Sequence, residues 1–378
     1  MKINNRLNKI DEYGLGDVVY DKNNILDLSI GDPDLEIHPN IINALIEGVK
    51  IKNFNRYPKG SGTLDLKKAI INYYWDLYNV KLTLEEVIIL IGSKEGINKV
   101  FACCCDYGDY AIIPQFGYPV YSSSCSLWGI QEYRVPITES NNYLPILENI
   151  PETITKMSKL FFINYPNNPT GAIASSAFYT DIVNFCRKHD MVLCNDGAYN
   201  EILEEKEEPI SLLQFDQSKK CIEFGTFSKI YNMTGFRIGY AVGNKDVINK
   251  MMKVKSYCDS GQFIPIQNAA VEALKLNYDY KKSINSTYDI RRNLVKKILK
   301  SKNISYYDAK ATFYLWCKIP QNYTTTEFCK ELIDNYGIIT IPGYNFGYYG
   351  HGFFRISLTQ SAELIEEYLD KLRVYNIY

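Results

Sequence analysis

The sequence predicts an α/β fold, and three observations support this prediction. Short apolar runs alternate with helical patterns from about residue 86 to residue 245, as in a sheet whose strands are joined by crossover helices. After about residue 300 the pattern changes to a strand, a helix, two short strands and a C-terminal helix, which is typical of a small α+β domain. A chain of 378 residues is also long enough for two domains.

The boundaries of the predicted elements follow the apolar runs. Strands are predicted over residues 86–91, 110–114, 159–165, 191–195, 221–225, 237–242, 313–319, 338–341 and 353–358. Helices are predicted over residues 94–105, 266–299 and 325–336, from near Tyr118, and from Ser361 onward. We divide the chain into an N-terminal arm with part of the small domain (1–40), a large domain (41–275) and a small C-terminal domain (276–378).

Composition excludes several classes of function. The chain has 42 Lys and Arg residues against 43 Asp and Glu, so it lacks the basic field of a protein that binds nucleic acid or anionic membranes. Its apolar runs are far shorter than the ~20 residues that span a bilayer, and its first residues lack the apolar run of a secretory signal. Ten cysteines without a CxxC spacing and three scattered histidines predict reduced thiols, no metal site and a cytoplasmic location.

Polar residues follow the predicted strands, at the edge where open α/β sheets bind ligands. Ser93 and Lys94 lie between a strand and a helix, where backbone N–H groups and a hydroxyl bind an anion or simply cap the helix. The segment 164–171, rich in Pro, Asn and Gly, forms a rigid turn after another strand. Both features are compatible with a ligand site, and neither defines one alone.

Two charged residues complete the pattern. Asp196 ends an apolar strand, where a carboxylate needs a cation, either in a structural ion pair or in a ligand. Lys229 follows the hydroxyls of Thr226 and Ser228 and precedes Arg237. It is either a solvated surface lysine or an amine whose pKa is depressed by the crowded charge, which makes it a nucleophile. A nucleophilic amine, a carboxylate, an amide with a phenol, and an anion site together match the requirements of pyridoxal phosphate (PLP).

At this point the sequence resembles the fold-type I, class I/II aminotransferases. The resemblance is carried by motifs in the family's order along most of the chain: Tyr165-Pro-Asn-Asn-Pro-Thr-Gly171, Asn195-Asp196-x-x-Tyr199, Ser228-Lys229, Gly235-Phe-Arg237-Ile-Gly239 and Phe353-Phe-Arg355-Ile-Ser357. Within the class, the segments 91–96, 228–237 and 347–355 look most like LL-diaminopimelate aminotransferases. The resemblance implies a large domain with a mostly parallel mixed sheet covered by helices, and a small α+β domain.

The resemblance also implies roles for the residues around the cofactor. Lys229 would form the Schiff base and carry the proton, and Asp196 would keep the pyridine nitrogen protonated. Tyr199 and Asn168 would hydrogen-bond the ring oxygen. The phosphate would be held by Ser93, the backbone N–H of Lys94, Thr226 or Ser228, and Arg237. Tyr118 would stack on the ring, with Phe116 as its competitor.

Further roles concern the substrate and the partner subunit. Arg355 would bind the α-carboxylate of the substrate, assisted by Asn168, and Gly31 matches the N-terminal segment that closes over it. Tyr57 matches the family tyrosine that reaches the phosphate of the neighbouring subunit. The resemblance therefore implies a homodimer with shared active sites.

The sequence leaves the substrate open. Where diaminopimelate enzymes usually have Glu-Gln-Gly, residues 58–62 read Pro-Lys-Gly-Ser-Gly, so a carboxylate for a distal ammonium is missing. Gly197 is also smaller than the usual family residue. The side-chain candidates are Lys59, Tyr13, Tyr344 and Asn345. We expect an aminotransferase that acts on an LL-diaminopimelate-like, acidic or neutral L-amino acid and on a 2-oxo acid such as 2-oxoglutarate. The alternatives are a PLP-dependent lyase or decarboxylase, such as a cysteine-S-conjugate β-lyase, and a PLP-binding regulatory domain.

Overall fold

A mixed β-sheet lies at the centre of the computed structural model, which describes Leu7, Ile10 and residues 24–376. The strands in these residues are β1 (Leu26–Asp27), β2 (Val87–Leu90), β3 (Tyr110–Pro114), β4 (Gln131–Val135), β5 (Ser158–Ile163), β6 (Val192–Asp196), β7 (Cys221–Thr226), β8 (Gly239–Gly243), β9 (Tyr314–Lys318), β10 (Ile338–Ile339), β11 (Ile341–Pro342) and β12 (Phe353–Ser357). Within the described residues, seven strands form the central sheet in the order β2-β8-β7-β6-β5-β3-β4. Strand β8 runs antiparallel to both of its neighbours, and the remaining pairs are parallel.

Helices cover both faces of this sheet. Over the same residues they are α1 (Pro39–Gly48), α2 (Leu64–Tyr78), α3 (Ser93–Cys104), α4 (Val120–Trp128), α5 (Glu152–Met157), α6 (Ser176–Lys188), α7 (Lys245–Ser256), α8 (Ile264–Leu274), α9 (Tyr278–Ser301), α10 (Thr325–Tyr336) and α11 (Ala362–Leu369). Because side chains alternate along a strand, Ile88 and Leu90 pack with α3 and α7, whereas Val87 and Ile89 pack on the other face. The sheet is therefore buried on both sides, which explains the nearly continuous apolar runs.

The topology gathers the ends of several strands at one edge. Strands β3, β5, β6 and β7 run parallel, so their carboxyl ends lie together. Strand β2 ends at Leu90, which pairs with Gly239 at the start of β8. The loops that carry the polar motifs thus meet at this edge.

Two smaller sheets lie outside the central one. Strands β11, β12 and β9 form an antiparallel sheet, in which Arg355 pairs with Trp316. Strand β1 pairs in parallel with β10, with Leu26 opposite Ile338. The segment before α1 is thereby attached to the C-terminal third of the chain.

Several sequence predictions are corrected by the structure. The single helix over 266–299 is wrong, because α8 ends at Leu274 and Asn277 caps α9 by accepting a hydrogen bond from the backbone N–H of Tyr280 at 3.1 Å. The single strand over 338–341 is also wrong: β10 and β11 belong to different sheets and flank Thr340. The helix expected near Tyr118 begins at Val120. The polar edge strand β4 was missed because its sequence, QEYRV, lacks an apolar run.

The helices and the cysteines bear on where the protein can reside. None of the helices in the described part of the chain is both long and apolar enough to cross a membrane. All ten cysteines lie in that part and are present as free thiols, nine of them buried or partly buried.

Candidate active site

The amine of Lys229 lies at the edge where the parallel strands end, three residues after β7. Its Nζ donates a hydrogen bond to the backbone carbonyl of Gly31 at 2.7 Å. The rings of Tyr199 and Phe313 have their centroids 5.7 and 5.4 Å from Nζ. Removal from water lowers the pKa of the Lys229 amine, and the positive charges of Arg355 and Arg237 act in the same direction. A depressed pKa favours the neutral, nucleophilic amine that the sequence predicted.

Asp196 ends β6 as a buried carboxylic acid. Its Oδ2 accepts a hydrogen bond from the Tyr121 hydroxyl at 2.8 Å, and its Oδ1 accepts one from the backbone N–H of Ala198 at 3.3 Å. Burial raises the pKa of Asp196 to about 6, although these hydrogen bonds and the nearby Lys229 charge oppose the rise. A carboxylate in this position is stabilised by any cationic group that approaches it.

An anion site is formed where α3 begins. Ser93 and Lys94 occupy the first turn of α3, after Gly92 with φ +71°. A Cβ on Gly92 would lie 3.2 Å from Nη2 of Arg237, so this guanidinium lies directly against the start of the helix. Burial and the Arg237 charge both lower the pKa of Lys94. Two cations at a helix N-terminus form a site suited to a phosphate.

Two hydroxyl groups belong to the same anion site. The Thr226 hydroxyl donates a hydrogen bond to that of Ser228 at 3.0 Å, and the backbone N–H of Ser228 donates to the Thr226 hydroxyl at 3.1 Å. Gly239 allows the close approach of these elements, because a Cβ there would lie 2.6 Å from the backbone nitrogen of Ser93. The structure thus brings together the phosphate candidates that the sequence singled out.

Arg355 reaches the site from β12 and is almost fully buried. Its Nη1 donates to Oδ1 of Asn168 at 2.8 Å, and its Nη2 donates to the carbonyl of Ser29 at 2.6 Å. Its Nε is buried without a hydrogen-bond partner, and no acidic side chain among the described residues forms an ion pair with it. A buried guanidinium with an unused donor is a strong site for a carboxylate.

The turn 164–171 and the end of β6 are joined by side-chain amides. Asn164 donates from Nδ2 to the carbonyl of Asp196 at 2.7 Å and accepts from the N–H of Asn168 at 2.9 Å. Asn195 pairs with both backbone groups of Tyr165. Its Nδ2 also donates to Glu223, a buried acid whose pKa is raised by burial. This network fixes Asp196 and Asn168 relative to each other.

The structure places the aromatic and N-terminal candidates differently. Phe116 is buried and stacks on Trp316 at 5.8 Å between ring centroids, whereas Tyr118 is partly exposed beside Lys94. Phe116 thus packs against Trp316, whereas Tyr118 lies next to a residue in the first turn of α3. Tyr57 is 87% exposed in the chain, and Tyr13 lies outside the described residues. Gly31 contacts Lys229, as described above.

Sequence reasoning gave no role to four residues of this site, namely Tyr121, Asn164, Asn195 and Tyr314. Tyr121 lies in the first turn of α4, three residues after Tyr118, and its closeness to this candidate in the sequence was a usable signal. Asn164 and Asn195 directly follow or end apolar strands, which was a usable signal. Tyr314 lies inside the predicted strand 313–319 and has no local signal, since only tertiary packing brings it to the site.

The raised pKa of Asp196 predicts a pH-dependent stability for protein prepared without cofactor. A folded pKa of about 6 against an ordinary value of 3.8 means that this carboxyl contributes stability below about pH 4, and that the contribution is lost as pH rises through about 6. Asp196→Asn should therefore stabilise this form by up to about 3 kcal/mol at pH 8. Urea denaturation over a pH series measures this difference in the free energy of unfolding. Asp76→Asn is the control, because Asp76 is exposed and forms no ion pair within the described residues. Equal stability of wild type and variant at every pH would contradict the prediction.

The site residues fit PLP by their chemistry. The buried acid Asp196 needs a cation and suits the pyridinium nitrogen, and the amine of Lys229, whose pKa is lowered, suits the aldehyde. The cations at the start of α3 suit the phosphate. The guanidinium of Arg355 is left for a second anion, which a substrate carboxylate supplies.

Known proteins resemble the chain over nearly its full length. Residues 23–372 match the family model for aminotransferase class I and II. LL-diaminopimelate aminotransferases from Halothermothrix orenii and Moorella thermoacetica are 42% and 40% identical over 351 residues, which cover 92% of this chain and 90% of each relative. Substrate-bound BacF from Bacillus subtilis superposes with a TM-score of 0.89 at 33% identity, covering 91% of this chain and 88% of that one. An aminotransferase from Staphylococcus aureus reaches 0.92 at 29% identity, covering 97% of both chains. This chain therefore belongs to the aminotransferase class I and II family and is a PLP-dependent aminotransferase.

Proposed function

We propose that this aminotransferase moves an amino group between an LL-diaminopimelate-like amino acid and a 2-oxo acid such as 2-oxoglutarate. The observation that carries the proposal is the buried Arg355 guanidinium, which has an unused donor. Every amino acid and 2-oxo acid has an α-carboxylate that this guanidinium can bind. The relatives with 40–42% identity that are named LL-diaminopimelate aminotransferases support this choice of amino acid. They do not favour the lyase or decarboxylase.

Each proposed role follows from the position of a side chain. When bound, PLP supplies an electron sink that stabilises negative charge at the substrate α-carbon. We assign Lys229 to covalent attachment and to proton transfer at that carbon, since its depressed pKa lets the amine accept a proton. Asp196 holds the proton of the pyridine nitrogen, while Tyr199 and Asn168 bind the ring oxygen and Tyr118 stacks on the ring.

The remaining roles concern the two anions. Ser93, Lys94, Thr226, Ser228 and Arg237 hold the phosphate at the start of α3. Arg355 forms two hydrogen bonds to the substrate carboxylate, and Asn168 orients its guanidinium. The segment that carries Gly31 covers the substrate and keeps water from the amine, which increases the strength of every charge interaction inside.

The first prediction of this proposal concerns Lys229→Ala. The variant should fold, bind PLP more weakly and lose at least about 10³-fold in turnover, because both the covalent link and the proton carrier are removed. The measurement is the change in visible absorbance when an amino acid converts bound PLP to its aminated form. Lys188→Ala is the control, because it removes an exposed amine that has no role in the proposed site. Normal conversion by Lys229→Ala would refute the assignment.

We also propose a homodimer in which Tyr57 reaches the phosphate of the partner subunit. Tyr57 is exposed next to other exposed apolar side chains of the segment 46–64 and of residues 257–263, and Phe54 contacts Phe263 at 6.0 Å between ring centroids. Large exposed apolar patches are typical of protein interfaces. The pair Phe54 and Phe263 links the two segments into one surface.

Mixed subunits test the shared site directly. Tyr57→Ala and Lys229→Ala homodimers should each be nearly inactive, whereas refolding them together should restore about a quarter of wild-type activity, because one site in each mixed dimer is complete. Sedimentation should show a dimer for all three proteins. An active monomer, or a mixture that stays inactive although mixed dimers form, would contradict the shared site.

The choice of amino acid can be tested at Lys59, which is exposed in the chain. If Lys59 lies at the mouth of the partner's site, its charge repels a distal ammonium and favours acidic or neutral substrates. We predict efficient turnover of LL-diaminopimelate, with a change in kcat/KM of less than about threefold in Lys59→Glu, because charges that stay in water interact weakly. Aspartate and an aromatic amino acid are compared in parallel, and Lys188→Glu is the surface control. A large gain for LL-diaminopimelate in Lys59→Glu alone would show that charge exclusion operates and would overturn the choice.

The cytoplasmic location and the domain boundaries at residues 40 and 275 also remain proposals. The pairing of β1 with β10 supports the assignment of the N-terminal arm to the small domain. The free thiols are compatible with a reducing compartment.

A further inference from the structure

Tyr314 connects three parts of the site that come from distant positions in the sequence. It lies on β9 and is 2% exposed. Its hydroxyl lies 3.0 Å from the hydroxyl of Tyr199. Its ring centroid lies 3.9 Å from the guanidinium carbon of Arg355. Tyr314 has none of the roles proposed above for the reaction.

The direction of the hydrogen bond between the two phenols follows from proton counting. A phenol has one proton to donate, and its oxygen accepts. The proposed function has Tyr199 donate its proton to the ring oxygen of PLP. The 3.0 Å contact is then made by the Tyr314 proton, which is donated to the Tyr199 oxygen. Such a donor fixes the rotation of the Tyr199 hydroxyl and strengthens it as a donor in turn.

The ring of Tyr314 acts on a second group. A guanidinium whose central carbon lies 3.9 Å from the centre of an aromatic ring is attracted by the π-electrons of that ring, which restricts its position. Phe346 lies 4.9 Å from the same guanidinium carbon. Both rings contact the guanidinium through their π-electrons and accept none of its hydrogen bonds, so Nη1 still donates to Asn168 and Nε keeps an unused donor for a carboxylate.

Gly31 determines where the Tyr314 hydroxyl can lie. A Cβ on Gly31 would be 1.7 Å from that oxygen, so a methyl group at this position cannot coexist with the observed Tyr314 rotamer. The carbonyl of Gly31 also accepts the hydrogen bond from Lys229. The absence of a side chain at residue 31 therefore lets Tyr314 reach Tyr199.

We propose that Tyr314 is a positioning residue for both ends of the reaction: its hydroxyl orients Tyr199 toward the cofactor, and its ring holds the Arg355 guanidinium for the substrate carboxylate. This inference rests on the proposed function, in which Tyr199 binds the ring oxygen and Arg355 binds the carboxylate.

Two substitutions separate the hydroxyl from the ring in the holoenzyme. Tyr314→Phe keeps the ring and removes the hydroxyl, so the pH midpoint of the visible absorbance of bound PLP should rise by about 0.5 to 1 unit. A weaker donor to the ring oxygen leaves more negative charge beside the titrating proton, which explains the sign. The KM for 2-oxoglutarate should stay within about twofold. Tyr314→Leu removes both groups, so the midpoint shift should be joined by a rise in KM of about tenfold.

Controls distinguish positioning from a general loss of structure. Tyr288→Phe removes another buried hydroxyl, one that has no hydrogen-bond partner. The Tyr288 ring packs against Phe313, the residue before Tyr314. This variant should change neither the pH midpoint nor the KM. In a Tyr199→Phe background, Tyr314→Phe should add no further midpoint shift, because the two hydroxyls act in series. Gly31→Ala should reproduce the midpoint shift by displacing the hydroxyl. Tyr314→Met, which also lacks the ring, serves in place of Tyr314→Leu if that variant does not fold.

Each outcome decides the proposal. An unchanged midpoint in Tyr314→Phe, or full additivity with Tyr199→Phe, would overturn the role of the hydroxyl. An unchanged KM in folded Tyr314→Leu would overturn the role of the ring. Failure of the wild type to convert PLP to its aminated form with any amino acid would instead refute the proposed function, so the two failures are distinguishable.

Discussion

The site depends on the amide side chain of Asn164, which joins the ends of two neighbouring strands. One amide both donates to the Asp196 carbonyl and accepts from the Asn168 N–H, so the group that would bind the pyridine nitrogen and the group that orients Arg355 share one reference point. Asn195 and the buried Glu223 reinforce this connection from inside the sheet. Buried polar groups of this kind are costly unless every one is satisfied, and here the satisfied network fixes the geometry of the loop.

The charge distribution follows from what the site must bind. The chain as a whole is nearly neutral, yet Lys94, Lys229, Arg237 and Arg355 converge on one edge of the sheet with Asp196 as the buried acid between them. Burial lowers the pKa values of Lys94 and Lys229, and the positive charge of Arg237 lowers both further. An arrangement of cations at two ends, with an amine and an acid between, is stabilised by a ligand that carries an anion at each end. PLP together with an amino acid has that charge pattern.

The sequence predicted the parts of this site that have local signals. Strands β5, β6 and β7 are apolar runs that end in polar motifs, and β2 ends just before the start of α3 in the same way; each lies within about three residues of its predicted bounds. Elements without such signals were missed or misjudged. The break at Asn277 depends on a single cap within a long amphipathic stretch, and β4 is a polar edge strand. Tyr314 was not recognised because its role exists only after β9, β12 and the segment around Gly31 have come together.

The small antiparallel sheet positions both Arg355 and Tyr314 at the site. Arg355 pairs with Trp316, so Tyr314, two residues before Trp316 on the same face of β9, lies diagonally beside the guanidinium. The segment around Gly31 is held in turn by Asp34, which forms a bidentate ion pair with Arg291 of α9 at 2.6 and 2.7 Å. The carbonyl of Ser29 accepts a hydrogen bond from Arg355, and that of Gly31 accepts one from Lys229. The ion pair therefore helps to hold the backbone that contacts both cations. In the proposed function, a substrate carboxylate competes with the Ser29 carbonyl for Arg355. The carboxylate wins because it adds the attraction of opposite charges and can accept two parallel hydrogen bonds from one guanidinium.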